Sequence, residues 1–466
     1  MLYLKSSISL LLLCLLGSVA AAQDKPNVVY ILVDNWGWGD ISIQGGSIPT
    51  PRIDALAREG FRMTNFNVES QCVPTRSAIM TGRLPIRSGT HRVTYGLPYG
   101  MAPWEYTLPE LLSDSGYKTA LFGKWHLGDV EGRLPTDQGF DQWFGIKNTT
   151  DEAGYSSTPQ FDADVFPQPY IWEGKQGQTS TKVRPFNLES RKTIDREIVE
   201  RSEAYIADQA ATDDPFFLYI GLTQIHPPLG HNPDFDNVTR TGIYGDIITE
   251  VDYNVGRILD ALNDADVADD TIVILSGDNG AVTEGIGGGS NGPWRAGFTG
   301  YEGGLRTVGM VRWPGRIEAG RVSDEIFATL DWMPTLAHLV GEESRIPEDR
   351  PIDGISQAAF LIGDQENSNR EHVLVYVGDD LFSVKWRTFK IHLRTAESLW
   401  APIHTYIFPP VYDVANDPGE DNNLMKHSLF AHSWVYGPMG QLLKEKAATM
   451  KEYPNISPGQ DFEGYE

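Results

Sequence analysis

At 466 residues, 41% of them hydrophobic and 11% aromatic, the chain is long enough for one large core with a smaller one beside it, and it is not a disordered polymer. A formal net charge of −25 excludes a nucleic-acid binder, which needs a basic face to meet phosphate. The two cysteines, Cys14 and Cys72, give no disulfide framework.

The chain opens on Lys5, an apolar run over residues 8–16 and Ala20-Ala21-Ala22. That pattern predicts a secretory signal peptide over residues 1–22, too short for a lasting membrane span, and hence a secreted or periplasmic protein. Leucines flank Cys14 where a lipid-anchor motif needs small residues, and no later stretch is apolar enough to cross a bilayer. Once the leader is removed, Cys72 has no intrachain partner.

Residues 27–33, rich in β-branched side chains, read as a strand buried on both faces, as in a parallel sheet, and end in Asp34-Asn35. Thr50-Pro51 opens a helix closed by Gly60, and Thr107-Leu108-Pro109-Glu110 is a capping box before another. Residues 117–122 predict a second strand running into Gly123-Lys124-Trp125-His126. A third, 215–220, leads to Gln224-Ile225-His226, and a fourth, 271–275, to Ser276-Gly277-Asp278-Asn279. Four strands thus deliver ionisable or amide side chains just past their C-terminal ends, the edge at which open α/β sheets bind ligands. Residues 194–210 and 245–262 have helical spacing, and Asp331 opens a helix ending at Gly341. Residues 155–182 show no clear period; their aromatics read as packing on a long loop. From about residue 370, four short alternating segments over 373–413 predict a small antiparallel sheet. The organisation expected is a signal peptide (1–22), an α/β domain (23–369) and an antiparallel subdomain (370–466).

Cys72-Val73-Pro74-Thr75-Arg76, followed by Thr81-Gly82-Arg83, is the centre of the reading. Pro74 sets a turn, Arg76 adds a permanent cation, and a helix-compatible run follows, so the side chain at 72 faces a helix N-terminus suited to negative charge. Asp34, Asn35, Asp278 and Asn279 offer only oxygen ligands, which suit Ca²⁺ or Mg²⁺ rather than zinc. The pentapeptide resembles the sulfatase signature Cys-x-Pro-Ser-Arg. Gly123-Lys124-Trp125-His126, the two Asp-Asn pairs, Gly139-Phe140-Asp141, Tyr301-Glu302-Gly303-Gly304 and Trp313-Pro314-Gly315 extend the likeness over the chain beyond its leader.

The resemblance, to arylsulfatase-like members of the alkaline phosphatase superfamily, implies a large, mixed, mostly parallel sheet sandwiched by helices, with a small antiparallel C-terminal subdomain. It implies that Cys72 is converted by a formylglycine-generating enzyme to formylglycine (3-oxoalanine), whose hydrate is the nucleophile. It further implies a Ca²⁺ site (Mg²⁺ second) at Asp34, Asn35, Asp278 and Asn279 with residue 72 alongside, and sulfate contacts from Arg76, Lys124 and His226. His226 protonates the leaving oxygen, and His126 takes a proton from the remaining hydroxyl. Substrates are then sulfate monoesters, aryl or carbohydrate. Three departures stand out: Thr75 for serine, Asn35 for aspartate, and Gly297 where many members place a sulfate-binding lysine. Asp40 is the nearby carboxylate able to offset Asn35, and Arg295 the cation able to replace the lysine. Two rival readings stand beside this one: a formylglycine-dependent phosphodiester or phosphonate ester hydrolase, and a catalytically silent binder of sulfated glycans.

Overall fold

Alternation decides which face each residue of the first strand covers. In Asn27–Val33, Val29, Ile31 and Val33 enter one apolar layer, and Val28, Tyr30 and Leu32 enter the other. With both faces covered by helices, every position after Asn27 is buried, which is why the strand reads as a continuous apolar run. The computed structural model describes residues 25–93, 100–283 and 288–465; the expected signal peptide lies outside them.

The strand is central in a ten-stranded sheet of order Arg321–Ser323, Phe61–Met63, Gly309–Arg312, Thr271–Gly277, Asn27–Val33, Phe216–Gly221, Lys118–Lys124, Gln142–Ile146, Tyr170–Lys175 and Thr181–Pro185. The stretch from Thr271–Gly277 to Gln142–Ile146 is parallel. Gly309–Arg312 and Tyr170–Lys175 pair antiparallel on either side of it. Helices Pro51–Glu59, Ile194–Ala210 and Ile243–Asp264 supply one layer. Cys72–Thr81, Leu108–Asp114 and Trp332–Leu339 supply the other. This is the large, mostly parallel sheet sandwiched by helices that the sequence predicts.

The stretch 155–182 departs from the reading of a plain loop. It carries Tyr170–Lys175, which with Thr181–Pro185 extends the sheet as an edge hairpin. Its aromatics meet lysines, Lys147 over the Trp172 ring at 3.8 Å and Lys182 over Tyr170 at 4.2 Å, and in Tyr170–Lys175 only Ile171 is buried, too few for a period-2 pattern to show.

The antiparallel sheet is present as His372–Val377, Asp380–Trp386, Phe389–His392 and Val411–Asp413, in that order. Its apolar face packs with Val435 and Met439 and with Leu84, Ile86, Ala328 and Leu330 of the α/β part. A buried ionic network also joins the two regions. Glu302 accepts from Lys385 (2.6 Å), Lys390 (3.0 Å) and Arg306 (2.5 Å), and Lys390 reaches Glu420 at 3.3 Å. Lys385 further donates to Asn65 and Asn67 at 2.8 and 2.9 Å.

Candidate active site

Strand register sets the first part of the site. Val33 lies opposite Gly277 in a parallel pair, so the next residues, Asp34 and Asp278, emerge side by side beyond the sheet. Gly123 lies opposite Gly221, which itself pairs with Leu32, and this brings Lys124 to the same edge. The glycines leave room for the strands and a guanidinium to close up. A Cβ on Gly123 would fall 1.9 Å from the Gly221 carbonyl oxygen, and one on Gly221 would fall 3.2 Å from Arg76 Nη1.

Cys72 is the first residue of the helix Cys72–Thr81, so its side chain meets the unpaired N–H groups and positive end of that helix. Every residue of this helix is buried, and Gly82 ends it in the left-handed region at φ 63°. The helix starts at the cysteine itself rather than after it, as the sequence alone suggested. Thr75 is explained locally: its Oγ1 accepts from Glu69 N at 2.9 Å, fixing the approach to the helix, a bond that serine or threonine can make.

Carboxylate oxygens of Asp34 and Asp278 and Cys72 Sγ all lie within 4.8 Å of one another. Arg76 clamps this group. Nε and Nη2 both donate to Asp278 Oδ2 (3.1 and 2.8 Å), Nη1 donates to the Lys124 carbonyl (2.8 Å), and Nη2 stands 3.7 Å from Asp34 Oδ2. Lys124 Nζ donates to Asp34 Oδ2 at 2.5 Å. Asn35 N donates to Asp278 Oδ1 at 3.0 Å, and Asn279 Nδ2 donates to Asn35 Oδ1 at 2.8 Å. Asp34, Arg76, Lys124, Asp278 and Asn279 are fully buried.

Burial, with Asp34 adding like charge, pushes the Asp278 carboxyl upward against Arg76 and Lys124. Burial opposes the charge on Lys124, but Asp34 beside it holds the ammonium above its ordinary value. The Cys72 thiol is pushed up to about 12 by burial, so the unmodified side chain is a poor thiolate nucleophile.

The same residues fit a hard cation. Asp34 Oδ1 and Asn279 Oδ1 are buried oxygens without a hydrogen-bond partner among the described residues, and two carboxylates share the space. Asp40 does not join them. Its Oδ2 accepts from Gly37 N (2.9 Å) and Tyr244 Oη (2.7 Å) and its Oδ1 from Ser290 N (2.8 Å), so it ties down the loop after Asn35.

Both histidines reach this edge. His126, at φ 63°, is a non-glycine residue in the left-handed region, as is Asn35 at φ 60°. Burial, then Lys124, Arg76 and His226, keep His126 neutral far below its ordinary range, and its Nδ1 is buried without a partner among the described residues. His226 Nδ1 stands 2.8 Å from Thr150 Oγ1 and 2.5 Å from the Pro227 carbonyl, with Thr149 Oγ1 3.4 Å from Nε2. Burial and Lys124 lower its proton affinity, while Asp151 and the Pro227 carbonyl raise it.

Arg295 is not drawn into this cluster. Its guanidinium donates to Glu397 (2.6 Å), reaches Asp421 (3.4 Å) and covers the Tyr301 ring at 4.6 Å. Gly297 admits no lysine without movement, since a Cβ there would lie 2.5 Å from the Ala281 carbonyl oxygen. Sequence reasoning passed over Thr149 and Thr150. They follow the strand Gln142–Ile146, a fifth parallel strand whose Gln142 and Gly145 hid it; treating its C-terminal end like the other four finds them.

Fold and site together set two buried cations and a group of side chains able to hold a metal ion around one buried cysteine at the C-terminal edge of a parallel sheet. The family model described as Sulfatase matches residues 26–342. The chain is 35% identical over 400 residues to N-acetylgalactosamine-6-sulfatase of Canis lupus familiaris, covering 83% of this chain and 74% of that one. It is 32% identical over 472 residues to arylsulfatase A of Homo sapiens, covering 94% and 90%. The solved structure of PsFucS1 sulfatase from Pseudoalteromonas sp. superposes with a TM-score of 0.87 at 31% identity, over 93% of this chain and 92% of that one. The chain belongs to the sulfatase family and is by class a sulfuric ester hydrolase.

Proposed function

We propose that this protein is an exported sulfatase that releases inorganic sulfate from sulfated carbohydrates, with an α/β catalytic domain over residues 23–369 and a subdomain over 370–466. The observation that carries the reading is the convergence of Asp34, Asp278 and Cys72 within 4.8 Å of one another, with Arg76 and Lys124 beside them. Carbohydrate is favoured because N-acetylgalactosamine-6-sulfatase is a relative across most of the chain. Among the described residues, no helix is long and apolar enough to cross a membrane.

Residue 72 would be oxidised to formylglycine by a maturation enzyme, and its hydrate would supply a nucleophilic hydroxyl together with a second hydroxyl for release of sulfate. A divalent cation, Ca²⁺ before Mg²⁺, supplies charge neutralisation at the sulfuryl oxygens; Asp34, Asn35, Asp278 and Asn279 would hold it, with residue 72 alongside. Arg76 and Lys124 do the rest of that work. Each is held charged in a buried place, so each stabilises negative charge that spreads over the sulfuryl group more strongly than it could in water. His226 gives a proton to the leaving oxygen, and an anionic ester beside it offsets the effect of Lys124. His126, kept neutral, accepts a proton from the hydroxyl left at residue 72.

Cys72→Ala should abolish sulfate release from sulfated sugars and from 4-nitrophenyl sulfate. Peptide mass analysis across residue 72 should find formylglycine in protein from a host able to make it. Parent-like turnover by the alanine variant would end this reading, and phosphate release outpacing sulfate release from matched aryl esters would move the protein to the phosphoester side.

A further inference from the structure

Thr150 is fully buried, and its hydroxyl bridges two atoms of the segment that carries His226. Oγ1 lies 2.8 Å from the Pro227 carbonyl oxygen and 2.8 Å from His226 Nδ1, while the same carbonyl oxygen lies 2.5 Å from Nδ1. The protons can be placed by elimination. A hydroxyl has one proton and a carbonyl has none. Were Thr150 to donate to Nδ1, the bare nitrogen would face the Pro227 oxygen lone pair to lone pair at contact distance. The threonine proton therefore goes to Pro227, and Nδ1 carries its own hydrogen toward both oxygens. Neutral His226 is the Nδ1–H tautomer, and Nε2 is the nitrogen that exchanges protons.

We propose that Thr150 is a positioning residue that, together with the Pro227 carbonyl it donates to, holds His226 in this tautomer, so that Nε2 carries the proton delivered to the leaving oxygen. The proposal rests on the reading of His226 as general acid. As the sulfur–oxygen bond to the alcohol breaks, its electron pair stays on the leaving oxygen, which takes the Nε2 proton. His226 is left neutral with Nδ1–H in place, and sulfur keeps the oxygen that attacked it, whose own proton passes to water. The groups facing His226 are Lys124, which disfavours the imidazolium, Asp151 and Asp278, which favour it, neutral His126, and Arg191, which donates to the His226 carbonyl at 3.2 Å. Thr150 and Pro227 are the acceptors for Nδ1–H of the protonated ring, and Thr149 Oγ1 stands 3.4 Å from Nε2.

The test compares Thr150→Val, which keeps the shape and removes the hydroxyl, with Thr150→Ser, which keeps the hydroxyl, in matured, Ca²⁺-loaded protein. A sugar sulfate, whose alkoxide must be protonated to leave, should lose about 30-fold in kcat with valine, less than the ~10²–10⁴-fold a whole general acid contributes because His226 itself is kept. The loss for 4-nitrophenyl sulfate, whose phenolate leaves unaided, should be about threefold, and serine should restore both esters to within about twofold of the parent. The limb of the pH–rate profile due to His226 should move to lower pH in the valine variant alone. Equal losses on both esters, no loss on either, or failure of serine to restore would overturn the assignment. His226→Ala separates the two claims. Equal losses there defeat the general-acid reading and Thr150 with it, whereas a steep leaving-group dependence in His226→Ala without one in Thr150→Val defeats Thr150 alone.

Discussion

Two buried clusters of charge lie in this molecule, and their chemistry differs in what is left unpaired. In the network that joins the antiparallel sheet to the large one, Glu302 is met by Lys385, Lys390 and Arg306, and Glu420 by Lys390 and His392, so each carboxylate is neutralised by direct contact and, of the buried polar atoms of these side chains, only His392 Nδ1 lacks a partner among the described residues. In the reaction cluster, two carboxylates face two cations, yet Asp34 Oδ1, Asn279 Oδ1 and His126 Nδ1 have no partner among the described residues. Proton affinities follow the same division. Burial pushes Glu302 upward, but its three cations outweigh that and hold it well below the usual carboxylate range. Asp278 ends above its usual range despite Arg76. One cluster is arranged for a protein whose ligands are its own side chains. The other holds lone pairs ready for something that is not part of the chain, and it does so where burial makes each interaction strong.

The largest effect should come from Asp278→Asn. The isostere still accepts from Arg76 but removes one of the two carboxylates near residue 72. Sulfate release should fall about 10³-fold, the scale of the several kcal/mol that lost metal assistance costs. Stability without metal should fall by less than in Glu302→Gln, because Asp278 faces fewer cations and a carboxyl raised above its usual range gives the native state little by ionising. Ca²⁺ at a hundredfold excess over its Kd should stabilise the parent by about 2.7 kcal/mol and the variant far less. Denaturant melts with and without CaCl₂ read both quantities. A large metal-free loss of stability would mean that the reaction cluster is structural after all.

Glu302→Gln should give the opposite pattern. Removing one partner leaves two lysines and an arginine facing each other without their shared anion, at a cost of about 3–5 kcal/mol. Activity per folded molecule should stay within about threefold, since Glu302 touches none of the reaction cluster. The pH dependence identifies the cause. Because the folded carboxyl sits below its ordinary value of 4.5, its contribution is complete above that value and is lost as pH falls through the lowered folded one. The stability gap between parent and variant should therefore be widest above about pH 5 and close on acidification. A gap independent of pH would assign the loss to packing instead of charge.

The sequence made the reaction cluster legible and left the network hidden, for one physical reason. Asp34, His226 and Asp278 follow apolar strands and Lys124 ends one, and parallel register brings such positions together whatever the loops do. Glu302, Lys385, Lys390 and Glu420 meet only because the antiparallel sheet docks on the large one, an arrangement that no local pattern encodes, and no motif marks Lys385 or Lys390. Asp40 shows the limit of proximity along the chain, since a turn five residues long was enough to send its carboxylate to Gly37, Tyr244 and Ser290. The strand Gln142–Ile146 was missed because a glycine and a polar residue interrupt its apolar pattern, and with it went Thr149 and Thr150.

The smallest effect should come from Arg295→Ala. Arg295 is a cation close in sequence to the position of the missing lysine, which made it the candidate to bind sulfate. In place, it is partly exposed and already answered by Glu397 and Asp421, so recruiting it would leave two carboxylates behind. A partly exposed pair of this kind is worth about 0–1 kcal/mol, and the variant's stability should shift by no more than that. Sulfate release should stay within about threefold, against about 10²-fold or more for Lys124→Ala, whose ammonium is buried against Asp34. Steady-state rates on one sugar sulfate suffice to compare the two variants. Losses of similar size would mean that substrate draws Arg295 away from Glu397 and that the site holds one more working cation than its resting geometry shows.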